Sequence, residues 1–435
     1  MNKTKKIKNK TRVKKRNKSN EKREGNMDGI EKIIIDDKVG CITVKNSFEE
    51  NFENYFKNKK RDKFKKHANN TIGKELISAF KKPIAPKHIN PKDDFYTYVN
   101  YDWLKEKEKT HKKMKKYYTR VDSFRMLQEK VYYQLIDIVK AYTSEHSSHK
   151  SKMIRNVYES FLHSDEASCE RHWIQIKQEL EDTFKNKTCT DLLIHMNRNE
   201  TVAGFCPISF SIITDEKDSQ INRCHVNSPI LSYYDDKLYE YENDAANYGK
   251  NDKSKNEEDE YKKEFNKRFK IFVSSAFKLA FGEDGHERFD PQDVIDVEKQ
   301  MLDAMNSYDP NVKEAEDGYN VVSAEEAHEK YHLKWDELTK GLGFKTVPRF
   351  FITDNLNYLH KITGILRENW NSKKWQTYFY YCFFKQMMCF HRSWRVTYFN
   401  FFGKYVKGQT VMLPQEIFPI FGLSYCFNTF LTEEY

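Results

Sequence analysis

The stretch Asn90–Leu104, NPKDDFYTYVNYDWL, constrains the fold more than any other. Asn90 suits a helix N-cap, and Pro91 suits the first helical position. Asp93 and Asp94 place negative charge at the positive end of a helix dipole. Phe95, Tyr98, Val99 and Trp103 recur at i, i+3, i+4 and i+8, which makes one apolar face. The spacing predicts an amphipathic helix anchored by Phe95 and Trp103.

Helical spacing returns through most of the chain. Ser123 is placed to cap a long helix in which Phe124, Leu127, Val131, Leu135 and Ile138 keep register to about Tyr142. Met153, Ile154, Val157, Tyr158, Phe161 and Leu162 repeat the pattern. Further helices are expected over Phe265–Phe281, Asp293–Met305 and the aromatic stretch 375–398, with Glu416–Tyr435 as the last helical element. The most apolar run, Trp375–Phe390, is interrupted by Lys385 and dotted with Tyr, so it reads as a buried helix and not a membrane span. Two passages read as strands. One is Lys32–Val44, two short strands around Asp-Asp-Lys-Val-Gly. The other is Gly204–Tyr239, whose alternating β-branched residues predict a hairpin. The predicted fold class is mainly α, with many helices and a small β-hairpin component.

Charge divides the chain. Residues 1–24 hold 12 Lys or Arg against 2 Glu, a net of +10; the remainder carries 63 basic against 63 acidic residues and is neutral. Nucleic acid or another polyanion is therefore expected to bind only through the 1–24 tail, not across the folded body. Residues 1–26 are expected to be a disordered basic tail. Residues 27–89 form a charged linker with the possible short hairpin. The main body spans 90–435, with a charged, apolar-poor insert at 243–268 read as an exposed loop or frayed helix start. The N-terminus is polar and has no apolar core of a signal peptide. The expected location is intracellular and cytoplasmic, with the nucleus open through the basic tail, and no membrane partner. The eight Cys include no Cys-x-x-Cys pair, so a zinc ribbon is not expected and reduced buried thiols are.

The string Pro91, Asp93-Asp94-Phe95-Tyr96 and then Asn100-x-x-Trp103-Leu104 resembles the N-terminal signature of the neprilysin-type (endothelin-converting-enzyme-like) zinc metallopeptidases. The resemblance continues in order. Tyr158, Phe161 and Asp165 match a helix and acidic turn. Pro207, Phe210, Asp215, Asp218 and Ser219 match a strand and turn. Pro229, Leu231 and Tyr239 follow, then Glu298 and Leu302. Tyr319-Asn320, Trp335, Leu338, Gly343, Tyr358-Leu359 and Trp370 come next, and Phe399, Phe401 and Gly408 close the series. It covers about residues 90–435. Secreted members usually carry Cys directly before Asp-Asp-Phe; Lys92 stands there, which fits the disulfide-free, intracellular branch. The resemblance implies a multi-helix lid-type domain that limits the size of peptide reaching the zinc site. It also implies that the Asp-Asp-Phe-Tyr helix packs with the catalytic domain.

The family's catalytic parts are a His-Glu-x-x-His helix, a downstream Glu-x-x-x-Asp helix and an Asn-Ala-aromatic strand. They lie C-terminal to the matched region, and this sequence has no Asn-Ala-aromatic string. One string does satisfy the zinc pattern, His328-Glu329-Lys330-Tyr331-His332. Ser323 and Glu326 form a capping box ahead of it, which predicts a helix with His328 and His332 on one face. No downstream Glu-x-x-x-Asp follows, and Trp335 and Leu338 stand where other zinc signatures need Gly and His. Ala324, Ala327, Tyr331, Trp335 and Leu338 already supply that helix with an apolar stripe. The expectation is a non-catalytic, lid-bearing half, whether truncated, split or degenerate. It has no catalytic, cofactor-binding or metal-binding residue of its own, and zinc belongs to the missing catalytic domain. The expected partners are a separate catalytic half-protein and, once assembled, peptides. Two alternatives stay open: an active zinc peptidase using His328, Glu329 and His332, and an interaction protein acting through its basic tail.

Overall fold

The computed structural model describes residues 32–36, 41–45, 89–101, 104–105, 123–163, 165–240, 253–283 and 285–435. The basic tail, the 27–89 linker apart from two strands and residue 89, and Trp103 lie outside the described residues. The two strands are β1 (Lys32–Asp36) and β2 (Cys41–Lys45), paired antiparallel as the sequence predicts.

The organising stretch forms a turn at 91–93 followed by a helix over residues 95–101. Asn90 does not cap this helix, as the sequence suggested; its Oδ1 accepts from the Lys92 amide, 3.1 Å away. Asp94 is the cap, its Oδ1 2.8 Å from the Thr97 amide. Pro91 sits in the turn, so the true helix starts four residues later.

The first helices are α1 (Ser123–Glu145), α2 (His149–Leu162), α3 (Glu166–Asn186) and α4 (Cys189–Arg198). Ser148 and Asp165 cap α2 and α3, and Thr188 and Asp191 close a capping box on α4. After the single turn Glu200–Ala203 come β3 (Ser209–Thr214) and β4 (Asn222–Asn227), the expected hairpin.

Helix α5 (Lys253–Phe281) begins inside the 243–268 insert, so of the two readings of that insert, loop or helix start, residues 253–268 take the helix start. The charged residues there support the helix. Glu258 pairs with Lys262 and Glu264 with Arg268, both at i,i+4. Residues 243–252 lie outside the described residues. Helix α6 (Pro291–Met305) has Asp290 as cap and Pro at its first turn.

Then follow β5 (Asn320–Ser323), α7 (Ala324–Glu329), α8 (Trp335–Gly341), β6 (Phe350–Thr353), α9 (Leu356–Asn369) and α10 (Lys373–Met387). Strands β5 and β6 extend the hairpin into a four-stranded sheet of order β3-β4-β6-β5. The β4–β6 contact is parallel and the β5–β6 pair antiparallel. The aromatic stretch 375–398 is not one helix. It breaks after α10, resumes as α11 (Arg392–Tyr398) and passes into a π-helix over Phe399–Val406. Helices α12 (Phe418–Cys426) and α13 (Asn428–Glu434) close the chain.

Two cores result. In the larger, α10 runs through the middle, buried on every side through Trp375, Tyr378, Phe379, Tyr381 and Phe383. Around it pack Trp173 and Leu180 of α3, Phe269 and Phe277 of α5, Val297 and Met301 of α6, and Phe401 of the π-helix. The smaller core joins the two ends of the described body. Val139 and Tyr142 of α1 and Ile154 of α2 meet Ile420 and Leu423 of α12 and Phe430 of α13.

The β3–β4 turn is held by Asp215. Its carboxylate accepts from Tyr319 Oη at 2.6 Å, Arg223 Nε at 2.8 Å, and the amides of Lys217 and Asp218 at 2.8 and 3.0 Å. Burial alone would raise its pKa, but these hydrogen bonds outweigh burial and hold it at about 2. A depressed carboxylate stabilises the fold above its unfolded pKa, near 3.9, and that stabilisation is lost as pH falls toward 2. Urea titrations should therefore show a loss of about 2 kcal/mol between pH 4 and 2 that Asp215→Asn removes. An equal acid-dependent loss in the variant would assign it elsewhere.

Candidate functional site

The His328–His332 string does not form the zinc face its spacing suggested. The capping box is present, with Ser323 Oγ accepting from Glu326 N at 3.1 Å and Glu326 Oε2 accepting from Ser323 N at 3.2 Å. Helix α7 nevertheless ends at Glu329, and His332 lies past the end with φ at +51°. The cause is packing. In one continuous helix Leu333 would point away from the Tyr331–Trp335 stripe. The turn at 330–334 lets Tyr331, Leu333 and Trp335 all bury, with the Leu333 amide bonded to Ala327 O at 2.8 Å. Histidine tolerates the left-handed region better than most residues and takes the outer position. His328, Glu329 and His332 are all exposed. Among the described residues no group of three or more His, Cys, Asp or Glu side chains is arranged to hold a metal ion. Two imidazoles on separate elements, with no third ligand beside them, do not fit zinc.

A buried polar cluster lies elsewhere among the described residues. Glu298 of α6 is fully enclosed. Its Oε1 accepts from Ser232 Oγ at 2.7 Å, and its Oε2 from Tyr239 Oη at 2.6 Å and the Ser232 amide at 3.2 Å. Lys385 Nζ of α10 donates to Ser232 Oγ at 3.1 Å, and Tyr381 Oη lies 2.8 Å from the same oxygen. Because the single Ser232 hydrogen goes to Glu298, Tyr381 is the donor in that last contact. The Lys385 ammonium sits over the rings of Phe205, Phe402 and Tyr381, at 4.5, 5.1 and 5.4 Å from their centroids. Burial raises the Glu298 pKa and lowers that of Lys385.

A serine beside a lysine invites a nucleophile–base reading. The hydrogen-bond direction opposes it, since the Ser232 proton is committed to Glu298 and its lone pairs to Lys385 and Tyr381. The cluster is a strut linking the 229–240 segment to α6 and α10. The sequence marked Tyr239 and Glu298 as motif positions and Lys385 as a break in an apolar run. Ser232 carried no signal.

Two cavities are lined by described residues. One, of about 460 Å³, lies where α2, α3 and α10 meet; Phe161, Cys169, Val202, Phe383, Met387 and Phe390 form its apolar wall. The other, of about 590 Å³, opens beside β5 between Val321, Val322, Tyr331, Lys313 and His360. Neither is lined by Ser232 or Lys385.

A third feature is apolar and exposed. Phe95, Tyr96 and Val99 of the 95–101 helix are exposed, Phe95 by 68%. So are Phe124, by 84%, and Leu127 on the first turns of α1. Phe95 does not anchor a core within the described residues, contrary to the expectation from its spacing.

A mostly helical body with a small four-stranded mixed sheet has the architecture of a helical lid-type domain. The sequence profile of Peptidase family M13 matches residues 91–419, and the chain belongs to that family. The neprilysin-type N-terminal portion read from Asp93-Asp94-Phe95-Tyr96 onward is borne out. Among solved structures, the zinc metalloprotease Zmp1 of Mycobacterium tuberculosis, in complex with an inhibitor, aligns with TM-score 0.59 at 17% identity; the match covers 81% of this chain and 51% of that one. PepO from Lactobacillus rhamnosis aligns with TM-score 0.54 at 11% identity, covering 79% and 51%. At such identities the likeness shows the fold alone. The chain spans about half the length of the structures it matches. No curated protein matches it. Among the described residues no helix is long and apolar enough to cross a membrane.

Proposed function

We propose that residues 90–435 act as the helical, substrate-enclosing portion of an M13 peptidase and leave zinc chemistry to a catalytic domain outside them. That domain is carried on the same polypeptide or on a second one. The observation that carries this reading is the exposed apolar set Phe95, Tyr96, Val99, Phe124 and Leu127. The family resemblance assigns the helix that carries Phe95, Tyr96 and Val99 to contact with the catalytic domain, and Phe124 and Leu127 lie on the first turns of α1. Several large apolar side chains exposed on one short helix, as Phe95, Tyr96 and Val99 are, mark an interaction site. The strut at Glu298 and the Asp215 turn would keep the body rigid, so that it bounds the space available to a peptide. Any contact with nucleic acid or another polyanion is assigned to the 1–24 tail.

The exposed residues give a direct test. Phe95→Ser and Phe124→Ser should each change the unfolding free energy of the isolated chain by less than about 0.5 kcal/mol. A covered Phe would cost about 3–5 kcal/mol. In the presence of a catalytic half bearing His-Glu-x-x-His and Glu-x-x-x-Asp, the same substitutions should weaken association and peptide cleavage together. A large cost in the isolated chain would mean that the face is already covered, and the reading would fail.

A further inference from the structure

The outer edge of β5 carries hydrogen-bonding groups of one definite pattern. In its register with β6, Asn320 faces Thr353, Val322 faces Phe351 and Ser323 faces Phe350. One step beyond the strand, the Ala324 amide donates to Arg349 O at 2.8 Å, so Ala324 and Arg349 form a hydrogen-bonded pair. Such pairs alternate along an antiparallel ladder. Val322 and Asn320 therefore point their backbone groups at β6, while Val321 and Ser323 point theirs outward. The Ser323 N–H is taken by Glu326 Oε2. The Ser323 C=O accepts the first bond of α7, as an N-cap carbonyl does. The Val321 N–H and C=O remain directed off the edge, and among the described residues no strand pairs with that side.

The cavity of about 590 Å³ lies beside this edge. Val321 and Val322 both line it, although consecutive strand residues face opposite sides of a sheet. A space touching both runs along the strand edge and not over one face. Asp309, Asn311, Val312 and Lys313 of the 309–313 loop also line it, and Tyr331 and Leu356 add apolar surface. Charges around the slot balance, since Lys330 pairs with Glu326 at 2.6 Å and the lining also holds Lys313 and Asp309. A ligand selected here must present alternating backbone donors and acceptors, a thin extended shape and no net charge.

We propose that the β5 edge and its slot bind an extended, uncharged peptide segment as an added β-strand. Main-chain bonds to Val321 supply affinity, and the apolar wall takes alternate side chains. Peptide follows from the backbone geometry alone; a role in guiding substrate rests on the peptidase reading above.

The test uses the full chain without a catalytic partner, so its failure leaves that reading standing, and failure of that reading leaves the binding intact. The probe is a fluorescein-labelled, end-capped hexapeptide of alternating threonine and valine, followed by fluorescence anisotropy. The unlabelled peptide should displace it. The same peptide with alternate amides N-methylated should compete at least about tenfold more weakly, as expected for one or two lost hydrogen bonds. Val321→Pro, checked for folding by circular dichroism, should weaken binding similarly. Amide exchange at Val321 should be fast in the free chain and slow with peptide. No peptide binding, equal competition by the N-methylated peptide, or a Val321 amide protected before peptide is added would overturn the proposal. The last outcome would mean that another part of this chain already covers the edge.

Discussion

Glu298→Ala should cost the folded chain about 3–5 kcal/mol, the range for removing one member of a buried charge pair. The wild-type carboxylate accepts three hydrogen bonds and offsets the Lys385 charge through Ser232. Removing it leaves the Tyr239 hydroxyl, the Ser232 amide and a buried ammonium without their acceptor. The aromatic rings around Lys385 cannot replace a carboxylate, because a cation–π contact contributes only about 0.5–2 kcal/mol. The destabilisation should be recovered in part by adding Lys385→Met, which removes the stranded charge and keeps the side-chain volume. The double variant should therefore lose clearly less than the sum of the two single losses. Additive losses, measured by urea unfolding, would show that Glu298 and Lys385 do not act as one strut.

The sequence exposed some of this arrangement and hid the rest, for identifiable reasons. The run Trp375–Phe390 is apolar on every side, which only a central helix can satisfy, and α10 is that helix. Its lone Lys385 announced a buried partner without naming one, because the acid that answers it is 87 residues away in sequence (385 − 298). The β3–β4 hairpin was legible from alternation and a turn rich in Asp. Strands β5 and β6 were not: NVVS and FFIT are four residues each, too short for a periodic signal, and they pair across two intervening helices. The His328 string shows the opposite failure. Its start was marked by a correct capping box, but nothing local marked its end, which burial of Leu333 imposes. The same limit applies to Phe95, since spacing identifies an apolar face but not what covers it.

The central claim is that these residues enclose a peptidase site without performing the chemistry. Two imidazoles without a third protein ligand make a weak site that gives up metal to a competing chelator. Glu329 could act as a base only on a water polarised by tightly held zinc. The deciding measurement is zinc content after dialysis against chelator-treated buffer, paired with hydrolysis of a quenched fluorescent peptide, on the chain and on His332→Ala. The account predicts no stoichiometric zinc, no hydrolysis and no difference between the two proteins. One zinc per chain in the parent, lost together with activity in His332→Ala, would contradict it and make His328, Glu329 and His332 the catalytic residues.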